Sequence, residues 1–347
     1  MNRLKEKFAS VIICSVFLVV VIFGTSASAF AKQKELNVAF FGPATHVVTT
    51  EAVSPWISSI EKQSNGELKL NLFPGGTLVS AADTWQAIES GLVDIGIGYV
   101  GYTPGRFSLS EVMSLPFLNI PNAVTGSKIL WRLYNEDTEV SSQYSGAKIL
   151  FLYTNSPAQI HTTRKPIVTY DDIKGMTVRC PGSIAPIFTA IGASPAVMGA
   201  ASAYESLERN VVDSTTFPWE ALKSYKISEV TKYHTILNHY VGPYFVAMNK
   251  DVWNNLPQNL KSVFDSTCGE KAAVLFGAAY DKADSWGLDL VMKDGHQIIS
   301  LTQSERDKFV QGSRQVWDEW VQTQNKKSLN GKEVLDKTIK LVSEYTE

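Results

Sequence analysis

The chain alternates short strand-type runs with helix-type segments, and this order limits it to the α/β fold classes. In the first third, residues 36–41, 68–72 and 93–99 have the apolar runs or alternation typical of strands. Between them, apolar residues recur at helical spacing, as from Val53 to Ile60. Strands separated by helices predict parallel pairing in an α/β sheet.

A second cycle of the same order begins near Lys148. Its strand-type runs are residues 149–153, 159–163, 176–179, 195–198 and 211–213. Helical spacing recurs at residues 184–191 and 202–209, as it does at 81–90 in the first cycle. Two cycles of the same pattern predict two similar α/β lobes.

The last third of the chain has a different character. Residues 240–249 are typical of a strand that returns between lobes. A helical pattern then runs from Pro257 to about Met292, interrupted only by Gly277 and Gly287. We expect one long helix that lies across both lobes and braces them.

The N-terminus has the three-part layout of a secretory signal peptide. Basic residues at positions 3–7 precede an apolar stretch at 11–23, and small residues follow it. This stretch is shorter than a membrane-spanning helix. We predict cleavage after Ala31; cleavage after Ala29, or a leader that is retained as an anchor, are the alternatives.

Charge and composition exclude several classes of function. The chain has 32 basic and 34 acidic residues, and the leader contains three of the basic and one of the acidic ones. The mature chain therefore has a net charge near −4, and it lacks the basic block that nucleic acid requires. Cys180 and Cys268 remain after cleavage; a chain of this size does not depend on disulfides, although one bridge is left open.

No motif for catalysis is present. The five histidines form no H-E-x-x-H pair or metal-ligand cluster, and there is no G-x-S-x-G elbow or phosphate-binding glycine loop. We expect no catalytic residue, no metal and no cofactor.

Several short motifs follow one another in a fixed order. Residues 73–76 read Phe-Pro-Gly-Gly, 83–85 read Asp-Thr-Trp, and 115–117 read Leu-Pro-Phe. Residues 171–179 read Asp-Asp-Ile-Lys-Gly-Met-Thr-Val-Arg. In this order, and over essentially the whole mature chain, the sequence resembles the substrate-binding proteins of tripartite ATP-independent periplasmic (TRAP) transporters, the DctP-like family.

The resemblance implies a fold, a location and partners. The fold is a two-lobe periplasmic-binding-protein fold with a hinge and a central cleft. Lobe I is expected at residues 32–156 plus 246–290, and lobe II at 157–245 plus 291–347. The implied ligand is a small organic acid, delivered in the periplasm to integral membrane subunits. We expect the binding protein itself to be a monomer. A binding protein for another transporter or for a sensor is the alternative.

Arg179 is the main candidate for ligand recognition. It ends an apolar strand pattern, and its guanidinium fork matches a carboxylate in bidentate geometry. The resemblance implies that this arginine clamps the ligand carboxylate. The alternative is an ion pair with a structural acid such as Asp172 or Asp213.

Three departures from the family's pattern bear on the ligand. Gln159 stands where some members have a second arginine, Phe217 where they have an asparagine, and Ala200 where some have phenylalanine. One carboxylate clamp in apolar surroundings favours a monocarboxylate with an apolar or aromatic body, because a second buried charge would lack a partner. A C4-dicarboxylate or a sugar acid remains the alternative ligand.

Four further residues are candidates for the cleft. Trp219 lies beyond Pro218 and could form an aromatic wall, or belong to the core. His46 could donate to the ligand, or lie in a surface loop. Tyr99 and Tyr102 follow a glycine-rich strand pattern, so their hydroxyls could reach the ligand.

Overall fold

The computed structural model describes residues 33–346, and their strands form two separate sheets. The predicted signal peptide and its cleavage site lie outside these residues. In chain order the strands are β1 (Lys34–Phe40), β2 (Leu68–Phe73), β3 (Ile95–Tyr99), β4 (Lys148–Thr154), β5 (Gln159–Thr162), β6 (Thr177–Cys180), β7 (Ser194–Val197), β8 (Ser214–Phe217), β9 (Tyr233–Ile236), β10 (Pro243–Met248) and β11 (Gln297–Ser300).

Both sheets mix parallel and antiparallel pairs. The first has the order β2-β1-β3-β10-β4 and the second the order β11-β9-β5-β8-β6-β7. In the first, β3 is parallel to β1, but β10 is antiparallel to both of its neighbours. In the second, β6 is parallel to β7 and β8, whereas β5 is antiparallel to β8 and β9. The α/β class is confirmed. The predicted parallel pairing holds for β1 with β3 and for β6 with β7 and β8, but each sheet also contains antiparallel pairs, one set made by β10, which returns from the second sheet and lies between β3 and β4.

Helices connect the strands and cover the sheets. The α-helices of the described residues are α1 (Ser54–Gln63), α2 (Thr84–Glu89), α3 (Ala123–Glu136), α4 (Thr138–Ser142), α5 (Ala185–Ala190), α6 (Ala203–Glu208), α7 (Glu220–Ser224), α8 (Lys250–Asn254), α9 (Gln258–Thr267), α10 (Gly269–Lys293), α11 (Gln303–Ser313), α12 (Gln315–Lys326) and α13 (Gly331–Thr346). No helix within residues 33–346 is both long enough and apolar enough to cross a membrane.

The long helical pattern after Pro257 is two helices rather than one. α9 ends at Thr267 and α10 starts at Gly269. The φ angle of Gly269 is +68°, a left-handed conformation that glycine adopts without steric cost and that ends a helix.

Two other boundaries differ from the prediction. Helix α2 begins at Thr84 rather than at residue 81, because the Ser80 hydroxyl bonds the Asp83 carboxylate and the segment between them is a turn. Strand β8 begins at Ser214 rather than at Val211, whose side chain is exposed.

The long helix α10 contacts elements of both halves. The carboxylate of Asp281 accepts hydrogen bonds from the backbone nitrogens of Ala123 (2.7 Å) and Val124 (3.0 Å), at the start of α3. Three residues later, Asp284 accepts one from the backbone nitrogen of Glu220 (2.9 Å), at the start of α7. Because α3 packs on the first sheet and α7 follows a strand of the second, α10 braces the two lobes.

Two connections between the sheets run side by side. Residues 155–158 lead from β4 to β5, and residues 237–242 lead from β9 to β10. The backbone nitrogen of Asn155 donates to the carbonyl of Gly242 (3.1 Å), and the nitrogen of Gly242 donates to the Asn155 side chain (2.6 Å). These paired connections form the hinge region of the two-lobe fold.

Candidate ligand-binding site

A cavity lies between the two sheets, beside the hinge. The space free of protein atoms around it, open solvent included, is about 410 Å³. Elements of both halves contribute its walls. The lining residues are Phe41, His46, Tyr99, Tyr102, Asn155, Arg179, Pro181, Ala200, Thr216, Phe217, Pro218, Glu220, Tyr225, Tyr240 and Tyr244.

Arg179 is a buried cation in this cavity. It lies on β6 and is only 1% exposed. Its Nη2 donates to the carbonyl of Met198 (2.9 Å), and its guanidinium carbon lies 4.3 Å from the centre of the Phe217 ring. Its Nε has no hydrogen-bond partner among residues 33–346. The guanidinium is therefore held in place and still has donor capacity.

The two acids considered as structural partners of Arg179 bind elsewhere. The Asp172 carboxylate accepts from the backbone nitrogens of Val168 (3.0 Å) and Thr169 (2.7 Å), in a capping box. The Asp213 carboxylate accepts from the backbone nitrogen of Thr177 (2.8 Å). Within the described part of the chain, no carboxylate lies within 4.0 Å of the Arg179 guanidinium. The ion-pair alternative is thus excluded in this structure.

Aromatic rings form much of the cavity wall. Phe41 contacts Tyr102 edge to face, with ring centres 5.4 Å apart. Phe217 and Tyr225 stack in parallel at 5.9 Å. Such rings bury a large apolar area and give a planar ligand flat surfaces to pack against.

Several tyrosines of the wall are neutral phenols. Burial raises the pKa of Tyr99, Tyr225 and Tyr244 well above the usual value. A neutral phenol can both donate and accept a hydrogen bond. These side chains therefore add polar contacts to the cavity without adding charge.

A carboxyl group also lines the cavity. Glu220 is the first residue of α7 and is 4% exposed. Its Oε2 lies 3.4 Å from Nε2 of His46, and it accepts no hydrogen bond within residues 33–346. The backbone nitrogen of Val48 donates to Nδ1 of His46 (3.1 Å), which leaves the ring proton on Nε2, facing Glu220.

Six of the eight residues predicted from sequence line the cavity. They are Arg179, Phe217, His46, Tyr99, Tyr102 and Ala200. The backbone nitrogen of Ala200 donates to the hydroxyl of Tyr102. His46 is buried rather than in an exposed loop.

Gln159 and Trp219 are not among the lining residues. The side-chain oxygen of Gln159 accepts from the backbone nitrogens of Leu237 (2.7 Å) and Asn238 (3.0 Å), and its nitrogen donates to the carbonyl of Pro157 (3.1 Å). Its amide thus holds the hinge connections together. The Trp219 ring packs against His161, with ring centres 5.6 Å apart.

Sequence reasoning did not find several residues of the cavity. They are Phe41, Asn155, Pro181, Thr216, Pro218, Glu220, Tyr225, Tyr240 and Tyr244. Glu220 had a usable signal, because it is an acid directly after the apolar run that ends at Trp219. Tyr225 and Tyr244 have no local signal, since only the fold brings them to the cavity.

The site is built for binding rather than for bond chemistry. Cys180 adjoins Arg179 in sequence, but it is a free, buried thiol whose burial raises its pKa to about 12. Cys268 is likewise free and buried, so the two form no disulfide. Within residues 33–346, no group of three or more histidines, cysteines or acids is arranged to hold a metal ion. What the cavity offers is one cation, one carboxyl group, phenols and aromatic faces.

Two α/β halves joined by paired connections around an aromatic cleft define a solute-binding protein of the two-lobe type. The sequence profile described as bacterial extracellular solute-binding protein, family 7 (DctP), matches residues 39–324. The chain belongs to this family, and it is a TRAP solute-binding protein, as the sequence motifs predicted. Members of the family serve transport outside the cytoplasm and are not enzymes.

Characterised relatives and solved structures agree with this assignment. The chain is 26% identical over 242 residues to the 2,3-diketo-L-gulonate-binding periplasmic protein YiaO of Escherichia coli. The matched region covers 69% of this chain and 70% of the relative.

Two crystal structures cover nearly all of the fold. A TRAP solute-binding protein from Rhodoferax ferrireducens, in complex with copurified benzoate, is 25% identical, with a TM-score of 0.87 over 90% of this chain and 99% of that one. A marine-metagenome TRAP solute-binding protein specific for aromatic acid ligands, in complex with metahydroxyphenylacetate, is 28% identical. Its TM-score is 0.87 over 91% of this chain and all of that one.

Proposed function

We propose that the protein captures a small monocarboxylate with an aromatic or apolar body and delivers it, as a monomer, to the integral membrane subunits of a TRAP transporter. The signal peptide is removed after Ala31, and the protein acts in the periplasm. The lobes, residues 32–156 plus 246–290 and 157–245 plus 291–347, close on the ligand.

The buried guanidinium of Arg179 carries this proposal. It has no carboxylate partner among residues 33–346, and a buried charge without a partner is costly. A ligand carboxylate supplies the missing anion, and its two oxygens match the planar fork of the guanidinium. Closure of the lobes strengthens the pair because water is excluded.

The aromatic walls support a planar, apolar body. Phe217 contacts the Arg179 guanidinium and stacks with Tyr225, so aromatic surface adjoins the place where the carboxylate would bind. The two similar structures described above bind benzoate and metahydroxyphenylacetate, and the shared fold together with the aromatic lining of this chain's cavity favours the same ligand class here.

A dicarboxylate fits the cavity poorly. Arg179 is the only lysine or arginine among the lining residues within the described chain, and Glu220 lies in the same cavity. A second ligand carboxylate would therefore face a carboxyl group instead of a cation. Its burial would be unfavourable.

Titration calorimetry on protein refolded from denaturant, which removes carried-over ligand, tests the proposal. We expect benzoate or its derivatives to bind, and succinate to bind much more weakly. Arg179→Ala should lose about 30-fold or more in affinity, because a buried carboxylate loses its partner. Arg179→Lys should also bind more weakly, since an ammonium cannot reproduce the fork.

Arg164→Ala is the matched control, because Arg164 is exposed and lies outside the cavity. It should bind like the unmodified protein. Unchanged affinity in Arg179→Ala, or a clear preference for succinate, would contradict the proposal.

A further inference from the structure

Glu220 is held at the cavity by its backbone, while one oxygen of its carboxyl group, Oε2, has no hydrogen bond within residues 33–346. The backbone nitrogen donates to Asp284 of the bracing helix (2.9 Å), which fixes the position of Glu220 at the start of α7. The side chain is 96% buried, since its exposure is 4%. Oε2 accepts no hydrogen bond from any residue between 33 and 346.

His46 faces this carboxyl group but does not satisfy it. The Nε2 of His46 lies 3.4 Å from Oε2, too far for a good hydrogen bond. The ring is held from the other side by the hydrogen bond from the Val48 nitrogen to Nδ1 (3.1 Å). Because that nitrogen donates to Nδ1, the ring proton lies on Nε2 and points toward Oε2, where 3.4 Å allows only a long contact.

The other charged groups nearby do not balance it either. Asp284 is an acid whose Oδ1 accepts from the backbone nitrogen of Glu220, so it supplies no cation to the side chain. Arg179 is the only arginine or lysine of the described chain that lines the cavity, and the proposed ligand carboxylate occupies it. Glu220 would thus remain an unpaired acceptor in the closed, liganded protein.

We propose that the ligand carries an O–H or N–H donor, remote from its carboxylate, that binds the carboxyl group of Glu220. This inference rests on the proposed function, since it presumes that the carboxylate end binds Arg179. The ligand class is then narrowed to aromatic monocarboxylates with a hydroxyl or an ammonium group. A hydroxyl and an ammonium group each supply a hydrogen-bond donor, but only the ammonium adds a positive charge.

The physical basis is the cost of an unsatisfied buried acceptor. A ligand that lacks the donor leaves Glu220 desolvated and unpaired when the lobes close. Sites built to bond a polar group therefore reject analogues without it much more strongly than apolar pockets reject a missing methylene. Hydrogen bonds to charged groups correspond to about tenfold or more in affinity.

Calorimetry with matched probes tests the inference. The probes are benzoate, the 3- and 4-hydroxybenzoates, the corresponding methoxybenzoates and the corresponding aminomethylbenzoates. We expect at least one hydroxyl or aminomethyl isomer to bind about tenfold or more tightly than both benzoate and its methoxy analogue, which has the oxygen but no donor.

Two variants assign the preference to Glu220. Methionine has a similar length to glutamate but no acceptor oxygen. The affinities of Glu220→Met for all probes should therefore lie within about threefold of its affinity for benzoate. Glu220→Gln keeps an acceptor but removes the charge. This variant should retain a preference for hydroxyl-bearing probes and lose any preference for ammonium-bearing probes. The result therefore distinguishes the two kinds of donor. Glu208→Met, on an exposed face of α6, is the control and should behave like the unmodified protein.

The outcomes separate this inference from the proposed function. The inference is overturned if benzoate binds the unmodified protein as tightly as every donor-bearing probe. It is also overturned if the preference for donor-bearing probes persists in Glu220→Met. In both cases the proposed pairing of the ligand carboxylate with Arg179 is unaffected. If no aromatic acid binds, the proposed function fails as well. The comparison of probes on the unmodified protein holds even where Glu220→Met does not fold.

Discussion

The hydroxyl of Tyr102 accepts a hydrogen bond from the backbone nitrogen of Ala200 at 2.9 Å. Tyr102 follows β3 of the first sheet, and Ala200 follows β7 of the second. The bond therefore joins the two lobes at the edge of the cavity. If the lobes open and close as proposed above, closure would form this bond and separation would break it.

Tyr102→Phe should weaken ligand binding by about three- to tenfold, because a closed-state hydrogen bond of ordinary strength is lost. The loss should be in the dissociation rate, since closure retains the ligand. Stopped-flow fluorescence with an aromatic acid measures both rates. Tyr204→Phe is the control, because the Tyr204 hydroxyl bonds Glu229 and does not line the cavity. An unchanged dissociation rate in Tyr102→Phe would remove the proposed role of this bond.

The bracing helix is also tied to the first half by Asp281. Its carboxylate accepts from the nitrogens of Ala123 and Val124 and from the hydroxyl of Ser156. Asp281→Ala leaves these three donors without their acceptor, which should destabilise the protein by about 2–3 kcal/mol. We expect the melting temperature to fall by several degrees. Asp289→Ala, on the exposed face of the same helix, should leave it nearly unchanged.

A glycine allows the same helix to approach the second half. A Cβ at Gly287 would lie 1.9 Å from the carbonyl oxygen of Trp219, a distance that no side chain can adopt. Gly287→Ala should therefore destabilise the protein by about 1–3 kcal/mol, although alanine is the better helix former. The urea midpoint measures this, with the exposed Ser285→Ala as control. A midpoint that rises would mean that the helix and α7 separate easily.

These contacts explain what the sequence could and could not predict about the helix. Apolar periodicity correctly indicated helical structure from about Pro257 to Met292. It could not show that Gly287 makes a close contact instead of a break, because the carbonyl it contacts is 68 residues away in sequence. Gly269, which does end the helical run, lacks any feature that distinguishes it locally.

The same reasoning applies to the site. Arg179 could be predicted because a motif and a strand end place it at the cleft. Glu220 was missed because its sequence position shows only an acid after an apolar run, whereas the residues that contact it, His46 and Asp284, come from distant segments. Gln159 has the right polarity for a ligand contact, yet its amide bonds a hinge segment that sequence spacing does not reveal.

Buried histidines make stability depend on pH. Burial lowers the pKa of His161 to about 4 and that of His239 to about 3, and it lowers the pKa of His234 as well. In the unfolded chain a histidine takes up a proton near pH 6.5. Between these values the unfolded state binds more protons, so each histidine contributes stability that is present above about pH 6.5 and is lost as the pH falls toward the folded pKa.

His239 gives a clean measurement of one such proton. Its Nδ1 donates to the carbonyl of Ala158 (2.9 Å), and its Nε2 accepts from the hydroxyl of Thr216 (3.3 Å), so the neutral ring satisfies both. The cation Arg306 also disfavours a charged ring. We expect His239→Gln to reduce the slope of unfolding free energy against pH between 6 and 4.5 by about 1.4 kcal/mol per pH unit, the value for one proton. Urea unfolding in steps of pH measures this slope. The measured quantity is the difference in slope between the two proteins, so the contributions of carboxyl groups that titrate in both cancel. An identical slope in the two proteins would show that His239 is protonated in the folded protein.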